Sequence, residues 1–100
     1  MFVYNISQKV NQAILNEWLI WQKEIHIPEI MSTGLFRDFK FYKLLDQDDL
    51  EGSTYIIQYF TENRENYDRY IKMHAPGLRE KAIKKWGEGF VAFRSLMQVV

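Results

Sequence analysis

The residues able to do chemistry gather around one histidine. His26 lies between Gln22 and Glu29 in the stretch WLIWQKEIHIPEIMSTGLF, Trp18 to Phe36. A histidine held by a neighbouring carboxylate can serve as a general base or anchor a ligand, because its ordinary pKa lies near neutrality. The plainer reading is structural: Pro28 removes a backbone donor, and His26 would satisfy the carbonyl groups left free. His74 sits one turn from Tyr70 and Leu78, beside Pro76. With no second ligand at a suitable spacing, it reads as a core histidine rather than a metal or haem ligand. Asp46, Asp48, Asp49 and Glu51 suggest calcium, but the position that must supply a bidentate acid is Ile57, so a solvated loop is expected. Arg37 and Arg94 stand within apolar segments, where they can snorkel, pair with a carboxylate such as Asp38, or hold an anionic ligand. No nucleophilic triad, phosphate loop, dinucleotide fingerprint or cysteine–histidine metal pattern is present. The reading therefore expects no metal and no cofactor.

These groups need elements to position them. At about 100° per residue, Ile14, Trp21 and Ile25 fall within about 60° of Trp18, and Leu15 and Leu19 within about 100°. Gln22 and His26 interrupt that apolar arc one turn apart. The arc predicts a helix packed on a sheet, capped by Asn11. Pro28 predicts an interruption with Ile27 extended, then a short second turn ended by a left-handed Gly34. Strand alternation is expected from Phe2 to Ser7, from Leu35 to Leu45, from Thr54 to Phe60, and from Phe90 to Val100. A second helix, about Arg64 to Trp86, aligns Tyr67, Ile71, His74, Leu78, Ala82 and Trp86 and must kink or restart at Pro76. The order β-α-β-β-α-β is the ferredoxin-like arrangement of an α+β fold.

One hundred residues make one domain, 1–100, yet 47% are hydrophobic and 16% aromatic. In the last strand Val91, Phe93, Met97 and Val99 alternate with Phe90, Ala92, Leu96 and Val100, so both faces are apolar. Both helices should cover one face. The other needs cover as well, and a second copy of the sheet would supply it, so a homodimer is expected. The net charge is zero and there is no cysteine, which leaves no field for a polyanion and no thiol chemistry. No apolar run approaches ~20 residues and MFVYNISQ lacks a signal-peptide pattern, so no membrane partner and a cytoplasmic location are expected. MFVYNI and GFVAF resemble pieces of RNA-recognition signatures, but GFVAF falls in the last strand and the chain is not basic. RNA binding is therefore the third reading.

YNIS, W-x-x-W-x-x-x-x-HIPEIM-x-TG-x-F, TYIIQYF, HAPGLR and GFVAFR together resemble a short bacterial domain family of unknown function, over essentially the whole chain. That family resembles members of the dimeric alpha-beta barrel superfamily. The resemblance implies two ferredoxin-like protomers closing a barrel. It implies no single activity, since that superfamily includes monooxygenases, isomerases, haem-degrading enzymes and ligand-binding regulators.

The expected site is a pocket between the first helix, the sheet and the partner's last strand. Trp18, Trp21, Tyr4, Tyr59 and Phe39 would wall it, and Gln22, His26, Glu29 and Arg94 would supply its polar points. One function is a cofactor-independent monooxygenase or isomerase acting on a small apolar or aromatic metabolite, with His26 as base and Arg94 holding an oxyanion. The alternative is a non-catalytic dimer that binds a small ligand or a protein.

Overall fold

The computed structural model describes residues 1–100. Four strands form one antiparallel sheet: β1 (Phe2–Asn11), β2 (Asp38–Lys43), β3 (Gly52–Thr61) and β4 (Phe90–Gln98), in the spatial order β2-β3-β1-β4. The helices are α1 (Leu15–Trp21), α2 (Ile27–Met31), α3 (Arg64–Met73) and α4 (Ala75–Trp86), with a π-helical turn, Gln22–His26, joining α1 to α2. This is the α+β, ferredoxin-like fold read from the sequence.

Register explains what each side chain meets. Tyr4 stands opposite Tyr59 and Leu96, and Ile6 opposite Ile57 and Arg94. Phe39 and Phe41 continue the same rows on β2. Because alternate residues of a strand point to opposite sides, these share one face. The buried members are clustered with Ile27, Ile30, Leu35, Phe36, Tyr70 and Ala75 in a core beneath the helices. A smaller core joins Val10, Trp18, Trp21 and Ala82. The opposite face carries Val91, Phe93, Met97 and Tyr42, all exposed.

The first helical segment departs from expectation. Ile27 is helical, with φ −59° and ψ −46°, rather than extended. Its N–H donates to the carbonyl of Gln22, five residues back, and this makes the turn π-helical. Proline in a helix lacks a donor, and its ring crowds the carbonyl four residues earlier. For Pro28 that carbonyl belongs to Glu24, inside the widened turn. The chain thus absorbs Pro28 without stopping. A π-turn inserts one residue and turns everything after it back by about 100°. The predicted apolar arc fails at that point: Ile25 is exposed, while Ile27 and Ile30 face the core.

Other boundaries shift for local reasons. β2 begins at Asp38 rather than Leu35, so Leu35 and Phe36 are not bound by strand alternation and both enter the core. Gly34 is left-handed, φ 74°, as the turn requires. β1 extends to Asn11, β3 opens at Gly52, and β4 stops at Gln98 rather than Val100. Asn11 ends a strand instead of capping a helix; its Oδ1 accepts the Ala13 N–H at 2.8 Å, in a turn preceding α1. The second helix restarts at His74, as Pro76 demands, and Asn63 Oδ1 caps α3 by accepting the Glu65 N–H. Arg37 lies outside the strands and pairs with Glu62.

Candidate functional site

The π-turn places Gln22 at its start and His26 at its end. Gln22 is 1% exposed, and its Oε1 is buried without a hydrogen-bond partner. A buried acceptor left unpaired costs on the order of 1–3 kcal/mol, so the turn keeps a polar atom where packing alone would not. π-turns recur at functional positions for this reason: they re-aim side chains that a regular helix would bury or expose.

His26 stacks on Trp21, with ring centroids 4.5 Å apart and planes at 19°. Trp21 in turn meets Trp86 edge-on at 5.7 Å. Burial against these rings lowers the His26 pKa to about 4; Glu29 opposes the shift, and Arg94 and Lys81 reinforce it. The imidazole is therefore neutral at physiological pH, with a lone pair available on one nitrogen. It is not the charged partner of Glu29 that the sequence suggests. Glu29 instead accepts from Lys81 Nζ of α4 at 3.1 Å and ties the two helices together. Arg94 is on the helix-facing side of edge strand β4, opposite Ile6, with its side chain in solvent.

The aromatic residues divide between the two cores. Tyr4 is surrounded by Phe36, Tyr59, Tyr67 and Tyr70, with centroids 5.4–6.3 Å away. Arg79 Nη2 donates to its hydroxyl at 3.0 Å. Tyr59 is fully buried and its hydroxyl has no partner; burial, then the neighbours Tyr70 and Tyr4, push its pKa well up, so the phenol stays protonated. Trp18 packs on Phe41 and Tyr55 at 6.1 and 5.7 Å. Phe39 is exposed on edge strand β2 and walls no buried site. Of the expected constellation, then, Trp21, Gln22 and His26 occupy one turn and its flank. Glu29 and Arg94 are close enough to act on His26 through charge. Tyr4 and Tyr59 belong to a separate, filled core, and Trp18 to the smaller one.

The site expected from the sequence left out Trp86, Tyr70 and Arg79. Their signal was present: Trp86 ends the apolar stripe of the second helix, and Tyr70 and Arg79 flank it, but which strand that stripe covers depends on the long-range register of the sheet.

The single antiparallel sheet with helices on one face defines a ferredoxin-like α+β protein, and solved structures agree. The chain matches an "ethyl tert-butyl ether d (ethd) family protein" from Bacillus halodurans with a TM-score of 0.71 at 13% identity, covering 100% of both chains. It matches a dimeric ferredoxin-like protein from an uncultured marine organism with a TM-score of 0.72 at 13% identity, covering 99% of this chain and 94% of that one. SnoaB, a cofactor-independent oxygenase from Streptomyces nogalater, matches with a TM-score of 0.67 at 9% identity, covering 98% and 92%. At such identities the likeness is one of fold. No curated protein matches. Over residues 1–100 the chain matches the family described as "Domain of unknown function (DUF4286)", and it belongs to that family.

Proposed function

We propose that this protein is a homodimer that binds a small apolar or aromatic metabolite beside the π-turn and carries out cofactor-independent chemistry on it. The observation that carries the reading is the pair on that turn: a neutral, stacked His26 and a buried Gln22 oxygen without a partner. A neutral imidazole offers a lone pair to a proton, but burial weakens it as a base, so the transfer depends on the exposed Arg94 guanidinium stabilising the anion formed from an acidic C–H or phenol. Structural neighbours of this fold include a cofactor-independent oxygenase and an antibiotic biosynthesis monooxygenase, in line with that class of reaction. Others are described as dimeric, in line with pairing through the exposed apolar sheet face.

A second reading has its own support. Tyr4 and Tyr59 fill one core beneath the helices and Trp18 fills the other, as they would in a non-catalytic ligand- or protein-binding dimer. Native mass spectrometry, followed by turnover assays on any retained compound, separates the two. His26→Ala should abolish turnover while leaving the dimer intact. Binding without turnover in the wild type selects the second reading, and retained turnover in the variant removes His26 as base.

A further inference from the structure

The first helix has a second flank, away from His26. On this side an open cleft of about 230 Å³ runs between the helix and the β2–β3 hairpin, lined by Leu19, Lys23, Phe41, Tyr42, Lys43 and Tyr55. Its make-up is specific. Phe41 and Tyr55 meet edge-on at 5.8 Å and form an aromatic wall. Behind them stands Trp18, fully buried, with an indole N–H that has no acceptor. Two ammonium groups come from different elements, Lys23 from the π-turn and Lys43 from the end of β2. Lys23 makes no ion pair, while Lys43 is held by Asp49 at 3.4 Å. The only charged side chains lining the cleft are these two lysines, in a chain whose net charge is zero.

We propose that this cleft is a binding site for a small planar aromatic acid. The ring would lie against Phe41 and Tyr55, where offset and edge-on aromatic contacts are favourable. The carboxylate would sit between Lys23 and Lys43 and accept charge-assisted hydrogen bonds. Asp49 competes for Lys43, so it sets the affinity rather than contributing to it. The site shares no residue with the His26 flank and stands whether or not His26 is a base.

The test is a titration of the full chain with salicylate, followed by heteronuclear NMR of backbone amides and indole N–H groups. Salicyl alcohol serves as the neutral isostere. Saturable shifts should appear at Leu19, Lys23, Phe41 and Tyr55, with salicyl alcohol binding more weakly. Both lysines are exposed, so Lys23→Met and Lys43→Met should each weaken binding about threefold. Asp49→Asn frees Lys43 and should tighten binding by about twofold. Equal affinity for salicyl alcohol, indifference to all three substitutions, or shifts that fall at Trp21, His26 and Arg94 instead would each overturn the proposal. The last of these outcomes would return the ligand to the His26 flank.

Discussion

On the helix-covered face of the sheet, Tyr4, Ile6, Ile57 and Tyr59 expose 7% or less of their surface. On the opposite face, Val91, Phe93 and Met97 expose 56%, 71% and 41%. The buried four belong to the central strands β1 and β3 and the exposed three to the edge strand β4, so place in the sheet adds to the alternation of faces: Val3, on the open side of β1, is still buried. The covered face is completed by the chain's own helices. The open face is crossed by a polar row, Lys40, Gln58, Asn5 and Ser95, in which Gln58 donates to Asn5 at 3.2 Å, and its exposed apolar residues, Val91, Phe93 and Met97, lie on either side of that row along β4. The chain thus has two unlike faces: one is covered by its own helices, and the other is open along β4.

The strongest way to break this contrast is to truncate one large residue from each face. Trp18→Ala should cost about 3–5 kcal/mol of unfolding free energy, because the indole is fully enclosed by Val10, Phe41 and Tyr55. Phe93→Ala, assayed at protein concentrations too low for association, should cost less than about 1 kcal/mol. Denaturant titrations of both variants measure the difference. Comparable losses would mean that the open face is also part of the intramolecular core.

The covered side can be sharpened through pH. His26 has an unfolded pKa near 6.5 and a folded value of about 4. Between these values the unfolded chain binds the proton and the folded one does not, so stability is full above about pH 6.5 and falls as pH drops toward 4. The loss should approach about 3 kcal/mol at most. His26→Phe keeps a ring against Trp21 and should flatten this window. A pH dependence that survives the substitution would place the titrating group elsewhere.

On the open face, Phe93→Asp should leave the monomer folded and weaken self-association by about 2 kcal/mol or more. Sedimentation velocity would show the change, together with loss of the concentration dependence of Tm. An unchanged sedimentation profile would exclude Phe93 from any dimer contact.

Much of the fold was legible because strand alternation is a local signal. Phe2 to Ser7, Thr54 to Phe60 and Phe90 to Val100 carry it in consecutive residues, and the structure pairs them in register, the last of them as far as Gln98. The first helix was legible only up to Gln22. Beyond it, a fixed helical period places Ile25 inside and Ile27 outside, and the π-turn reverses both. Pro28 was the clue, but proline can break a helix, kink it, or be absorbed by a wider turn, and the choice depends on what the following residues can bury. Ile27 and Ile30 settle it by packing into the main core. The site was legible as residue types. Its electrostatics were not, because Glu29 looks like the partner of His26 until the fold brings Lys81 to it from α4.

That ion pair gives the smallest effect and the finest test. Lys81 and Glu29 are joined at 3.1 Å, but their side chains keep 67% and 34% of their exposure. An exposed pair contributes less than about 1 kcal/mol, so Lys81→Met should barely change stability. The consequence for His26 is larger in kind, since the two charges act on it in opposite directions. Glu29 raises its pKa and Lys81 lowers it. Lys81→Met should therefore move the His26 pKa up, and Glu29→Gln should move it down, as followed by imidazole NMR titration. Shifts of the same sign would mean that the substitutions alter the burial of the ring rather than the field around it. Shifts of opposite sign would show that α4 tunes the basicity of a residue on the first helix while adding almost nothing to the fold.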